Sequence, residues 1–211
     1  WAPENTREAI YDGIYNRESF ATSGPRIKVR FFGQFGAAAP INDYKTMVEQ
    51  GYSKVVAMGG TLKAGSGMPT FTVWASKGPR DVDGNLDRIQ IIKSWVGADG
   101  EPQDHVYDVV WSGDRKPDAK GKVPAVGNTV DLKTATFTNS IGAPELKGTW
   151  TDAAFDASQG AVYYVRVIQI PTPRWSTYDA IRSKLPLQGG VASAVQERAW
   201  SSPIWYTPSS N

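Results

Sequence analysis

Oxygen-bearing side chains recur at alternate positions in Asp81-Val82-Asp83-Gly84-Asn85-Leu86-Asp87, a pattern that resembles a loop wrapped around a calcium ion. The glycine stands fourth, where a helix-loop-helix calcium site needs it sixth, and Asp, Gly and Asn are equally the residues of an ordinary hairpin turn. Asp81, Asp83, Asn85 and Asp87 are therefore calcium candidates set against a turn reading that the same residues satisfy. A second pairing, Asp104 beside His105, has the makings of half an acid-base device, in which a carboxylate fixes an imidazole tautomer. No serine or cysteine in a nucleophile-elbow motif accompanies it, and no residue is assigned a catalytic role. Arg174, Trp175 and Tyr178 offer a cation, an indole and a phenol within five residues. They are ligand-binding or interface candidates for an anionic or sugar-like molecule, and the competing reading is that they pin a long loop to the fold by burying aromatic area. Ser23-Gly24 is a turn and not a phosphate loop, since the order is helix to strand and the lysine is missing.

The element that must position these groups is residues 161–175, AVYYVRVIQIPTPRW, the longest apolar run free of helix signals. Alternation puts Val162, Tyr164, Ile168 and Ile170 on one face and Ala161, Tyr163, Val165 and Val167 on the other. Both faces are apolar, which predicts a central strand covered on both sides. Arg166 interrupts one face and is the candidate for a buried structural ion pair, with Asp108 as the suggested partner.

Around that strand the chain reads as mainly β: an antiparallel β-sandwich-like domain preceded by one N-terminal amphipathic helix. Pro3 and Asn5 open the helix, Asn5 with Glu8 has capping-box spacing, and Ile10 and Ile14 form an apolar stripe that needs a surface to cover it. Residues 26–32 alternate as a half-buried strand, and 43–51 fit either a short helix or a loop. The segments 70–75 and 87–95 read as a long-looped hairpin, followed by a strand over 105–112. Residues 113–124 read as a charged loop projecting into solvent, 134–138 and 146–151 as short strands, and 174–191 as irregular. A last strand over 199–206 contains Pro203, which argues for a sheet edge.

Composition narrows the function classes. The 211 residues include 23 basic and 21 acidic side chains without a like-charged run, which argues against nucleic acid as a partner. There is no cysteine and a single histidine, so neither a disulfide framework nor a multi-histidine zinc centre forms within the chain. No apolar run approaches the roughly 18 residues of a membrane span, and the chain reads as soluble. It begins at Trp1 without an initiator methionine or signal peptide, from which a processed or excised piece is expected.

Several phrases, in order, carry a family resemblance: ENTREAIYDGIYNRESFATSGPRIKVRFFG, TFTVWASKGP, LDRIQIIKSWV, VGNTVDLKTATFTNSIGAPEL, YYVRVIQIPTPRWSTYDA and QERAWSSPIWYTP. Together they resemble the C-terminal part of the domain of unknown function 3604 family, over nearly the whole chain. Full-length members resemble metallohydrolases of the polymerase-and-histidinol-phosphatase (PHP) type, whose metals are held by a distorted α/β barrel. The resemblance implies that residues 1–25 are the terminal helix and exit of an upstream barrel, and that 26–211 form an appended C-terminal β-domain. It implies a divalent metal for the parent and no cofactor in this chain. The expected partner is the upstream domain of the same parent, or another copy of the chain, through the N-terminal helix. The resemblance leans towards a periplasmic or secreted protein. The reading from another function class is a non-enzymatic binding or self-assembling module.

Overall fold

The structure is a computed structural model that describes residues 1–209. In chain order the elements are α1 (Arg7–Tyr15), β1 (Phe20–Thr22), β2 (Lys28–Phe35), α2 (Tyr44–Lys54), β3 (Val56–Ala57), β4 (Thr61–Lys63), β5 (Pro69–Ser76) and β6 (Leu86–Val96). There follow β7 (Pro102–Trp111), β8 (Glu145–Thr151), β9 (Ala161–Gln169), β10 (Thr172–Pro173), α3 (Trp175–Arg182), β11 (Ala194–Val195), β12 (Arg198–Ser201) and β13 (Ile204–Thr207). The fold is mainly β, as the abundance of aromatic, Gly and Pro residues leads one to expect.

β9 lies at the centre of the larger sheet. β6 pairs with one edge and is itself paired with β7, while β12 and β13 share the other edge, with β1 outside β12 and β4 outside β13. The second sheet runs β3-β2-β5-β8 and is antiparallel throughout. The two sheets meet through one core cluster that takes Phe31, Phe71 and Val73 from one sheet and Ile89, Ile91, Tyr163, Val165 and Val167 from the other. Phe71 and Tyr163 touch across it, with ring centroids 4.4 Å apart. β2 is buried on both faces and not on one, because α2 lies on its outer side and packs Met47 against Phe32 and Trp74. Asp43 caps α2 by accepting from the Thr46 amide at 2.9 Å, which settles residues 43–51 as helix.

Several expectations are corrected. Only one face of β9 is fully buried; the face with Val162, Tyr164, Arg166 and Ile168 is half-buried, because no helix or sheet covers it. β5 and β6 are not a hairpin: they lie in different sheets, so residues 77–85 carry the chain across the sandwich. Residues 134–138 form turns with a single bridge, Asp131 to Thr136, where a strand was expected. Pro203 does not mark an edge. It breaks the last strand into β12 and β13, each flanked on both sides, and the Pro lies between them where no ladder donor is needed. Part of the segment 174–191 is helical, as α3.

The N-terminal helix starts one residue later than the capping-box spacing suggests. Thr6 is the N-cap, its Oγ1 accepting from the Ala9 amide at 3.3 Å. Its buried residue is Ala9, whereas Ile10 (44 % exposed), Tyr11 (63 %), Ile14 (67 %) and Tyr15 (69 %) face outward. Docking runs instead through Trp1, whose indole donates to the Val29 carbonyl at 2.8 Å and packs on Phe20. Arg30 lies 3.5 Å over the Trp1 ring and donates to the hydroxyls of Tyr44 and Tyr52 at 3.1 and 2.6 Å. This cation-aromatic group ties the first residues to β2 and α2, and β1 joins the larger sheet through β12, so packing is continuous across residue 25.

An ion pair penetrates the core. Asp152, fully buried, lies 2.6 Å from Lys93 Nζ and accepts from the Tyr163 hydroxyl at 2.7 Å. Lys93 and Tyr163 are cross-strand partners in the ladder between β6 and β9. Burial first, and then the hydrogen bond and charge of Asp152, push the Tyr163 phenol far above its ordinary value, so it stays a donor.

Candidate functional site

A cleft of about 820 Å³ opens at the end of the sandwich, between the crossing loop and α3. Its α3 wall is built by helical spacing: Trp175, Tyr178, Asp179 and Arg182 stand at i, i+3, i+4 and i+7 and all line the cleft. The opposite face of α3 buries Thr177 and Ala180, and Thr177 Oγ1 donates to the Ser193 carbonyl at 2.7 Å, fixing the helix to the chain that follows it. The other wall is Arg80, Asp81, Val82 and Asp83. Asp83 accepts from the Arg80 amide at 3.0 Å and from Arg80 Nη2 at 2.8 Å. The side-chain bond from Arg80 is the largest influence on that carboxyl, and burial opposes it without overcoming it, so Asp83 is held below the ordinary aspartate value. Gln169, at the end of β9, is 3 % exposed and also lines the cleft, with an Oε1 that has no hydrogen-bond partner among the described residues.

The structure thus brings together residues that stand far apart in sequence. Trp175 and Tyr178 share one wall, Asp81 and Asp83 the other. Trp175 is 66 % exposed, and burial pushes the Tyr178 phenol up, with Arg182 opposing. Arg174 is the N-cap residue of α3; its guanidinium lies 5.6 Å from the Trp175 ring centroid. The four calcium candidates do not converge. Asp83 pairs with Arg80, Asn85 donates to the carbonyls of Asn139 and Ile141 at 3.2 and 3.0 Å, and Asp87 is held by Arg88 and Arg115 at 3.2 and 2.7 Å. Asp83 and Asp87 thus serve different parts of the fold, and no three of the His, Asp and Glu side chains among the described residues are grouped to hold a metal ion. Asp104 and His105 are exposed neighbours that alternate sides of β7, and the imidazole packs on Tyr107 at 4.3 Å.

Arg166 stands in one row with Gln90 and Asp108 across β9, β6 and β7. It reaches Asp108 only through Gln90: its Nε donates to Gln90 Oε1 at 2.8 Å, and Gln90 Nε2 donates to Asp108 Oδ1 at 2.6 Å. The ion pair to Asp108 comes from Arg88, at 3.0 Å. Asp108 also accepts from the Val123 amide at 2.8 Å, and Arg88 and Arg115 donate to the carbonyls of Val123 and Pro124. The loop 113–124, expected to project freely, is by these bonds fastened over the half-buried face of the larger sheet.

Comparison with protein families matches residues 1–208 to the family described as protein of unknown function (DUF3604). The chain belongs to the DUF3604 family. Comparison of this DUF3604 chain with curated proteins and with solved structures returns no match. Sequence reasoning missed Arg80, Asp179, Arg182 and Gln169 as cleft residues. The i, i+3, i+4, i+7 spacing from Trp175 to Arg182 was the available signal, hidden because Pro171 and Pro173 make the segment read as loop. Arg30 gave no signal, since its partners Trp1, Tyr44 and Tyr52 meet only through the fold.

Proposed function

We propose that this chain is the C-terminal accessory β-domain of a metal-dependent, PHP-type hydrolase-like protein, not catalytic by itself, and that it shapes or covers the mouth of the parent's active site. The family membership over residues 1–208 and the sequence resemblance of full-length members to that hydrolase class support the reading. The observation that carries it is the outward face of α1. Ile10, Tyr11, Ile14 and Tyr15 are large apolar or aromatic side chains held exposed on a helix whose other side is anchored, and such a contiguous face is a place for another surface to dock. On this proposal residues 1–25 are the exit of the barrel, and α1 is the element shared by barrel and β-domain. A second copy of the chain on the same face is the alternative, a self-assembling module.

The gene and the pure chain test this together. The coding sequence upstream of Trp1 should specify a histidine- and carboxylate-rich α/β barrel, and the 211-residue chain alone should not turn over phosphate esters with added Mn²⁺, Zn²⁺ or Mg²⁺. A short leader ending at Trp1, together with stable dimers lost in Ile14→Glu, establishes the alternative. Turnover by the pure chain that disappears in His105→Ala overturns the non-catalytic reading.

A further inference from the structure

We infer that the cleft between α3 and the crossing loop binds a neutral saccharide, independently of what the parent protein hydrolyses. The inference starts from three features in one place. The cleft has room for a small oligosaccharide, at about 820 Å³. Its rim carries Trp175, 66 % exposed, an indole whose area the fold leaves in water. Its lining includes Gln169, 3 % exposed, whose Oε1 accepts no hydrogen bond among the described residues, although burying an unpaired polar atom is costly.

Charge and ring environment select the ligand class. The ionisable side chains lining the cleft are the cations Arg80 and Arg182 against the anions Asp81, Asp83, Asp179 and Glu197, a balance of two against four. Arg80 is already committed to Asp83, so the field repels phosphates, sulfates and uronates. An organic cation is disfavoured at the rings, because Arg174 and Arg182 stand 5.6 and 5.7 Å from the centroids of Trp175 and Tyr178 and a second cation would meet them. A purely apolar ligand would strand the carboxylates. A neutral sugar meets every requirement. Its C–H face stacks on the indole, and adjacent hydroxyls donate to Asp179 or Asp81, which no ion pair engages among the described residues.

Affinity electrophoresis of the 211-residue chain in native gels tests this, with galactomannan, glucomannan, xyloglucan or mixed-linkage β-glucan in separate gels and heparin and polygalacturonate as anionic arms. The chain should be retarded by at least one neutral polysaccharide and not by the anionic ones. Trp175→Ala should weaken that retention about tenfold, the scale of one aromatic contact, and Asp179→Asn should also weaken it. Both variants should melt as the parent does, since both side chains are exposed. No retardation in any neutral gel, retardation confined to the anionic gels, or retention unchanged in Trp175→Ala would each overturn the assignment.

Discussion

Replacing Asp152 with alanine should be among the most destabilising single polar changes in this domain. The carboxylate is fully buried; its Oδ2 lies 2.6 Å from Lys93 Nζ and 2.7 Å from the Tyr163 hydroxyl. Its removal leaves an ammonium that is itself 5 % exposed, with a hydrogen bond to the Ala154 carbonyl at 2.8 Å and the rings of Trp95 and Tyr163 nearby but no countercharge paired with it among the described residues. Orphaning one partner of a buried pair costs about 3–5 kcal/mol. The unsatisfied phenol adds about 1–3 kcal/mol on its own, but both losses run through one oxygen atom and do not sum. A loss of about 4 kcal/mol is therefore expected, a large share of the roughly 5–15 kcal/mol that holds a domain together. Urea unfolding followed by tryptophan fluorescence measures it, with the m-value checked for constancy. The decisive companion is Asp152→Ala with Lys93→Met, which removes the orphaned charge and should be more stable than Asp152→Ala alone by about 1–4 kcal/mol. A loss below about 1 kcal/mol for the single variant, or a double variant no more stable than the single, would refute the buried-pair reasoning.

Arg166→Ala should cost only about 1 kcal/mol, because the half-buried guanidinium bonds to a neutral amide; the same urea titration reads it. Burial raises the Asp108 carboxyl, but the Val123 amide, Gln90 and Arg88 outweigh it and hold it below the ordinary value. Its contribution is thus complete above about pH 4 and is lost as pH falls through the depressed value, so Asp108→Asn should flatten the acid limb of stability against pH. Gly51→Ala should destabilise by about 1–3 kcal/mol in spite of a better helix propensity, seen as a lower urea midpoint. The added Cβ would stand 2.5 Å from the ring of Phe32, which is 2 % exposed and hemmed by Met47 and Trp74.

The regular part of this fold was legible because it is periodic. The run 161–175 announces β9, the alternation of 26–32 announces β2, and the β-rich runs 70–75 and 87–95 announce β5 and β6. What alternation does not encode is which sheet a strand joins, and so the polar segment 77–85 reads as a hairpin turn when it is a crossing between layers. Arg166 shows the same limit at one residue. Asp108 shares its row but pairs with Arg88, and the Gln90 that stands between Arg166 and Asp108 depends on β6 lying between β9 and β7. The stripe of Ile10 and Ile14 has the right period for burial and is exposed, because Ala9 and Trp1 supply the docking. The cleft was half visible: Trp175 and Tyr178 stand out by type, while Gln169 becomes notable only once its oxygen is seen to lack a partner.

The central claim, an accessory domain docked to an upstream barrel through α1, is tested most directly by hydrogen-deuterium exchange. The backbone amides of residues 7–15 should be compared between the 211-residue chain alone and the whole gene product. The account predicts that exchange in α1 slows by about tenfold or more in the whole protein, as docking of the Ile10, Tyr11, Ile14 and Tyr15 face suppresses local opening. Equal exchange of α1 in the two proteins would contradict it.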